Sequence, residues 1–197
     1  MSIRFPSHNQ KYFCFWKQTG IWHTHIAIAL ASTLTANGYP AVYTERNGNN
    51  HLRSMLQEHP AVKEQNGICY YKYFRGIPDY GQGIEPPDSG DAIYVKDFGV
   101  YQKDIIELGP ENFNLFILSG SPWDLAQTIS TGLELSRLGN TAFICNYNNQ
   151  SSAKKLAGNS AVKYTAFLLT GMHLPVPKPK QIYSFMYYLS KGEKRNF

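Results

Sequence analysis

Residues that suit phosphate binding follow the first predicted strand. The turn at residues 17–24, KQTGIWHT, comes after an apolar run, leads into a helical pattern and contains Gly20 and Thr24. Backbone N–H groups and the positive end of a helix favour an anion at such a turn. A glycine lets the chain approach phosphate closely, and a threonine hydroxyl suits magnesium. The turn is therefore a candidate phosphate-binding loop.

The same turn lacks the strongest feature of a working phosphate loop, which is a lysine that reaches the β- and γ-phosphates. Trp22 and His23 occupy this part of the turn instead. The indole adds a Cβ and bulk where the backbone must approach phosphate, and a histidine is mostly neutral at pH 7. Because phosphoryl transfer depends on positioning and charge neutralisation, we expect little or no ATP hydrolysis.

Two later strands also end in polar residues. Asp97 lies near the end of the apolar segment 91–99, and Asn146 lies near the end of the segment 141–147. Ligands of open α/β sheets bind at the carboxyl ends of the strands, so we expect both residues near the candidate loop. Simpler interpretations stay open: Asp97 would cap a strand end, and Asn146 would belong to a turn.

The elements that must position these residues alternate between strand and helix. Strands are predicted at residues 12–16, 39–45, 67–74, 91–99, 113–121 and 141–147. Helices are predicted at residues 24–37, 51–58, 101–108, 122–138, 151–158 and 182–191, with a loop at 76–90. This alternation is typical of βαβ units. It predicts an α/β fold with a doubly wound, mainly parallel sheet and helices on both faces.

Composition sets the broad class of the protein. The chain has 197 residues, 43% of them hydrophobic, and a formal net charge of +5. We expect one domain with a core at about 11–174, followed by a connector and helix at 175–197. Three cysteines show no metal or disulfide spacing, and no signal peptide or membrane span is predicted, so we expect a cytoplasmic setting.

A longer order of motifs points to a family. The stretch TGIWHTHIAIALASTLTANGYPAVYTE (19–45), the strand DAIYVKDFG, the segment NLFILSGSPWDLAQT and the strand AFICNY follow one another as in that family. Over about residues 12–148 the chain resembles the ParA/MinD family of deviant Walker-type P-loop ATPases, also called SIMIBI proteins. The loop GIWHTH looks like a decayed form of the lysine-free GVGTTH loop of some bacterial members, near the TadZ-type branch.

The resemblance implies roles for particular residues. The nucleotide-binding positions fall on Gly20, Ile21, Trp22, His23, Thr24 and Asn146, with Asn146 at the adenine edge. The magnesium positions fall on Thr24 and Asp97. Several departures weaken this site. With Thr24 and His25 aligned on the paired threonines of the family, His23 takes the place of the catalytic lysine, and Trp22 and Thr19 take the places of glycines. Glu45 stands where the family usually has an aspartate. The implied cofactor is ATP or ADP with magnesium, bound weakly or no longer bound.

The predicted function is that of a degenerate family member that works through protein partners. It would be a positioning or assembly accessory of a bacterial machine, with a homodimer across the former nucleotide face, since the family sandwiches nucleotide between two subunits. One alternative is an ATPase-type protein with weak ATP or ADP binding. Another is a DNA-partition accessory, because the basic net charge permits nucleic-acid contact.

Two further patterns favour structural interpretations. His23 and His25 form an H-x-H motif, but residues two apart on a helix do not face each other, so we do not expect a metal site there. An apolar stripe in the segment 182–191 resembles the membrane helix of MinD-like proteins. We expect this stripe to pack on the sheet, as the closing helix of an α/β domain does, and we expect no peripheral membrane contact.

Overall fold

The structure is a computed structural model of the chain, and it describes residues 12–17, 24–79, 92–101, 112–119, 123–135, 141–146 and 165–167. The helices are α1 (Thr24–Ala36), α2 (His51–Glu58) and α3 (Leu125–Leu135). The strands are β1 (Tyr12–Lys17), β2 (Ala41–Glu45), β3 (Lys63–Gln65), β4 (Ile68–Tyr71), β5 (Phe74–Ile77), β6 (Ile93–Val100), β7 (Asn112–Ser119), β8 (Thr141–Asn146) and β9 (Thr165–Phe167).

The described strands form one mixed sheet in the order β3-β4-β5-β2-β6-β1-β7-β8-β9. Every neighbouring pair from β5 to β9 is parallel, whereas β3, β4 and β5 pair antiparallel. The α/β prediction is therefore confirmed. The prediction of a mainly parallel sheet holds for the centre and one side, and an antiparallel end was not predicted.

The predicted third strand at residues 67–74 was wrong, because this segment turns back on itself. Tyr71 pairs with Phe74, so the chain reverses at Lys72 and Tyr73 to form a hairpin. Lys72 takes the left-handed conformation with φ +50°. This turn could not be predicted, because no glycine, proline or asparagine marks it.

The predicted loop at 76–90 also begins too early, since Gly76 belongs to β5. A Cβ at Gly76 would lie 2.6 Å from the Phe74 ring and 2.8 Å from Leu52 Cδ1. The glycine is therefore needed for close packing inside the sheet rather than for a loop.

Helices cover both faces of the sheet, as predicted. In β7, Leu115 and Ile117 pack in one core with α1, whereas Phe116 and Leu118 pack in a second core on the opposite face, beside α3. Successive side chains of a strand point to opposite faces, so this alternation assigns α1 and α3 to different sides. Seven of the thirteen residues of α1 are buried, and the helix contacts β2, β5 and β6.

The remaining predicted elements agree in place and differ mainly at their ends. The structure begins α3 at Leu125 and ends it at Leu135, inside the predicted 122–138. The predicted helices at 101–108, 151–158 and 182–191 lie outside the described residues, and β3 and β9 were not predicted. Within the described part of the chain, no helix is long and apolar enough to cross a membrane.

Candidate functional site

The carboxyl ends of three central strands meet at one edge of the sheet. The parallel register places Asp97 of β6 between Glu45 of β2 and Phe15 of β1. α1 begins shortly after β1, at Thr24. Two acidic residues and the first residue of a helix are thus brought to the edge where α/β sheets bind ligands.

Asp97 is the centre of a hydrogen-bonded group that we call the Asp97 cluster: Thr24, Tyr43, Asp97 and Gly99. The hydroxyls of Thr24 and Tyr43 both donate to Asp97 Oδ2 at 2.9 Å. The backbone N–H of Gly99 donates to Oδ1 at 3.0 Å. Asp97 and Tyr43 expose no surface, and Thr24 is almost fully buried. The cluster joins the start of α1 to β2 and β6.

The environment fixes the protonation state of Tyr43. Burial, followed by the negative charges of Asp97 and Glu45, raises the pKa of Tyr43 far above its ordinary value. The phenol therefore keeps its proton and always donates to the carboxylate. A buried carboxylate needs such donors, since an unpaired buried charge is strongly destabilising.

The end of β6, where its register with β1 shifts after Asp97, depends on a glycine. Gly99 has φ +75°, and a Cβ there would lie 2.9 Å from Asn47 Cβ. A side chain would therefore meet both backbone strain and a clash. The N–H of Arg46 donates to the Asp97 carbonyl at 2.9 Å, so the chain after β2 is tied to β6 at the same place.

Glu45, opposite Asp97 in the register, is fully buried and caps α2. Its Oε1 accepts the His51 N–H at 2.7 Å, and its Oε2 accepts the Leu52 N–H at 3.4 Å. Asn50, at the helix start, makes no side-chain capping bond. Burial raises the pKa of Glu45, and the two N–H donors partly counteract this. Glu45 therefore has a structural role in the described chain.

A third polar group lies at the end of β7. Ser119 Oγ donates to Asp124 Oδ2 at 2.7 Å, and Thr128 Oγ1 donates to the Ser119 carbonyl at 2.8 Å. These bonds fix the start of α3 against the strand. Trp123, next to Asp124, is 82% exposed, which places a large apolar side chain in solvent near the carboxyl edge.

The structure brings together two of the predicted site residues, Thr24 and Asp97. Gly20, Ile21, Trp22 and His23 lie outside the described residues. Asn146 ends β8 opposite Ser119, so its backbone lies at the predicted edge, and its side chain is not described. The adenine, phosphate and magnesium roles stay predictions.

Tyr43 is the residue that sequence reasoning missed. In the sequence it is an aromatic residue inside an apolar strand, AVYTE, which is typical of a core position. Its role becomes visible only once β2 and β6 are known to be neighbours, because Tyr43 and Asp97 then lie on the same face of the sheet. This requires the strand order β2-β6-β1, which the sequence pattern did not supply.

Comparison with known proteins identifies the fold and no family. No family model matches the chain, and no curated protein matches it. Among solved structures it is similar to a chain of the MinC:MinD cell division protein complex of Aquifex aeolicus, with a TM-score of 0.62 and 12% sequence identity. The alignment covers 95% of this chain and 98% of that chain. The protein therefore has a MinD-like α/β fold.

Proposed function

We propose that this chain is a degenerate ParA/MinD-like P-loop protein that acts through protein–protein contacts and hydrolyses little or no ATP. In this role it serves as a positioning or assembly accessory of a bacterial machine. The observation that carries the proposal is the hydrogen bond from Thr24 to Asp97 at the carboxyl edge of a MinD-like sheet. These are the two residues to which the family resemblance gives magnesium roles.

The loss of hydrolysis rests on the loop that precedes α1. His23 stands at the position of the catalytic lysine, and Trp22 stands at the position of a glycine. Neither residue supplies a permanent positive charge to phosphate. Charge neutralisation carries most of the catalysis of phosphoryl transfer, so these changes remove its main source.

The role of protein partners has two supports. The similar solved chain belongs to a complex of two proteins, MinC and MinD. In this chain Trp123 is 82% exposed near the carboxyl edge, and tryptophan is enriched among the residues that dominate binding at protein interfaces. A partner or a second copy of the chain would bury this indole.

Calorimetric titration with ATP and ADP in the presence of magnesium tests the proposal, combined with an assay of phosphate release. The proteins to compare are wild type, Asp97→Ala and the double variant Trp22→Gly/His23→Lys. We expect no turnover and no binding in wild type, and binding in the double variant. Micromolar binding by wild type that Asp97→Ala abolishes, together with turnover, would contradict the proposal.

A second candidate function is weak binding of ATP or ADP without fast hydrolysis. The retained Thr24–Asp97 contact favours it, because both residues occupy the positions implied for magnesium. Gly20 and the backbone of 21–24 would then hold phosphate, and Asn146 would contact adenine. Wild-type binding without turnover, weakened by Asp97→Ala, is the result that selects this candidate.

The partner role is tested separately at Trp123. Tagged wild-type protein and Trp123→Ala are used to capture partners from cells of the source organism, and sedimentation velocity measures self-association. We expect the substitution to reduce one specific association while the fold is retained, as judged by circular dichroism. If wild type and Trp123→Ala capture the same proteins and sediment equally, this edge of the sheet is not the interface.

A further inference from the structure

We propose that Tyr43 replaces a divalent cation as the partner of Asp97, so that the Asp97 cluster is a metal-free latch that pins α1 to the sheet. The inference rests on the proposed function, since it concerns the same site. It makes Tyr43 a positioning residue and explains how the sheet edge to which the family resemblance assigns magnesium stays folded without the ion.

The first step concerns the space around the carboxylate. Asp97 Oδ2 accepts two hydroxyl hydrogens at 2.9 Å, from Thr24 and Tyr43, and Oδ1 accepts the Gly99 N–H. A carboxylate oxygen has about two lone-pair sites, so Oδ2 is saturated. Magnesium requires a nearly octahedral set of oxygen ligands and usually keeps several waters. Asp97 and Tyr43 expose no surface at which such a hydrated ion could sit.

The second step concerns how firmly Tyr43 is held. Tyr43 belongs to β2, which lies between β5 and β6 in the sheet. Its ring contacts the Phe74 ring, with the two centroids 6.0 Å apart. Gly76 stands opposite Tyr43 in the register, where it leaves room for these rings. A water molecule on a carboxylate is displaced readily by a cation. A phenol anchored in a central strand is not, because displacement would require the core to repack.

The third step concerns what the latch connects. Thr24 is the first residue of α1, Tyr43 belongs to β2, and Asp97 belongs to β6. Two hydroxyls on one carboxylate therefore hold a helix and two strands together without a ligand. In this arrangement the folded state needs no nucleotide or cation to place the start of α1.

Thermal unfolding of the whole chain in MgCl2 or in EDTA, without nucleotide, tests the latch. The variants are Tyr43→Phe, Asp97→Asn and their combination, with Tyr71→Phe as the matched control. Tyr71 packs against the same core from β4, and its hydroxyl donates no hydrogen bond to any of the described residues. Tyr43→Leu is added because it removes the ring and opens space beside Asp97.

The expected results separate a latch from ordinary packing. Wild type melts at the same temperature in MgCl2 and EDTA. Tyr43→Phe lowers the folding equilibrium constant about 10- to 100-fold, since it removes a hydrogen bond to a charged group. The double variant Tyr43→Phe/Asp97→Asn lowers the folding equilibrium constant by less than the product of the two single fold-changes, because both substitutions break the same interaction. Tyr71→Phe has little effect. In Tyr43→Leu, about 5 mM MgCl2 raises the melting temperature, and Asp97→Asn removes this response.

Three outcomes would overturn the latch. The first is a wild-type melting temperature that rises in MgCl2 through Asp97, and the second is independent effects of Tyr43→Phe and Asp97→Asn. The third is a Tyr43→Leu protein as insensitive to MgCl2 as wild type, since Tyr43 would then not be what excludes the ion. Asp97→Asn and Tyr43→Phe nearly keep the side-chain volume, so we expect both variants to fold. If Tyr43→Leu does not fold, the magnesium response of wild type and the coupling of the other two substitutions still decide the test.

Failure of the latch and failure of the proposed function are distinguishable. The latch is measured without nucleotide, whereas the proposed function is measured by ATP binding and phosphate release. Suppose that wild type hydrolyses ATP, that its melting temperature does not depend on magnesium, and that the effects of Tyr43→Phe and Asp97→Asn are coupled. The proposed function would then be contradicted and the latch would stand. If the melting temperature of wild type rises with magnesium and no ATP is hydrolysed, the latch would be contradicted and the proposed function would stand.

Discussion

The two buried acids at the ends of neighbouring strands, Glu45 and Asp97, are stabilised in different ways. They stand opposite each other in the register of β2 and β6, and neither exposes any surface. Asp97 accepts two side-chain hydroxyls from other elements, whereas Glu45 accepts two backbone N–H groups from the start of α2. One acid therefore joins distant parts of the fold, and the other completes a local helix end.

The comparison shows that position in the sheet does not decide what a buried carboxylate does. The partners decide it. Tyr43 and Thr24 come from β2 and α1, so the loss of Asp97 would be felt across the domain. The partners of Glu45 lie only six and seven residues further along the chain, so its loss would be felt mainly in α2.

Asp97→Ala should give the largest loss of stability among the changes that test this comparison. It leaves two buried hydroxyls and the Gly99 N–H without their acceptor, and each unsatisfied group costs about 1–3 kcal/mol. Removing the buried charge offsets part of this cost, so we expect a loss of about 3 kcal/mol. Urea unfolding measures it. A loss no larger than that of Glu45→Ala would abolish the proposed difference between the two acids.

Gly99→Ala should come second. Its φ of +75° and the 2.9 Å approach to Asn47 Cβ combine strain with a clash, and we expect a loss of about 2–3 kcal/mol. Gly48→Ala is the matched control, because Gly48 has φ +71° with nothing within 4 Å; it should lose about 1 kcal/mol. Equal losses in urea unfolding would mean that the end of β6 around Gly99 is not tightly packed.

Glu45→Ala should have a smaller and more local effect. Loss of a helix cap costs about 1 kcal/mol, and relief from burying a charge reduces the net loss. Hydrogen exchange should show faster exchange at the His51 and Leu52 amides, with little change in α1. Faster exchange throughout α1 would indicate that Glu45, like Asp97, holds the domain together.

The smallest expected effect is the pH dependence that Glu45 contributes. Burial raises the pKa of Glu45 above its ordinary value of 4.5, so the native state keeps this proton to a higher pH than the unfolded chain. Between the two pKa values the native state binds more protons, and stability falls as the pH rises. Above the native pKa this loss is complete. His51 Nδ1 lies 3.7 Å from Oε1, and Asp97 is the other charged neighbour.

Glu45→Gln removes this titration and is the variant that measures it. Urea midpoints from about pH 4 to about pH 8 should show wild type losing stability relative to Glu45→Gln as the pH rises above the ordinary range of a glutamate. A difference that stays constant with pH, or that grows in favour of wild type, would contradict the raised pKa.

Most of the central fold could be predicted from the sequence, because its signals are local. The helices α1 and α2 and the strands β1, β2, β6, β7 and β8 all lie close to their predicted positions. The hairpin of β4 and β5 could not be predicted, since its turn at Lys72 and Tyr73 carries no glycine or proline. Its reversal is stabilised instead by packing that involves Phe74 and Leu52.

For the candidate site, too, the local features could be predicted from the sequence and the long-range contacts could not. From the sequence alone, Thr24 could be placed at the start of a helix and Asp97 near the end of a strand, and the segment 20–24 was seen to carry Trp22 and His23 and no lysine, because each of these facts depends on residue type and nearby pattern. Only the tertiary structure placed Tyr43 on Asp97 and Glu45 on α2. Their partners come from other elements, and in the Asp97 cluster the bonded side chains lie 73 and 54 residues apart in the chain. Strand order and register bring such residues together, and a local sequence pattern does not encode either of them.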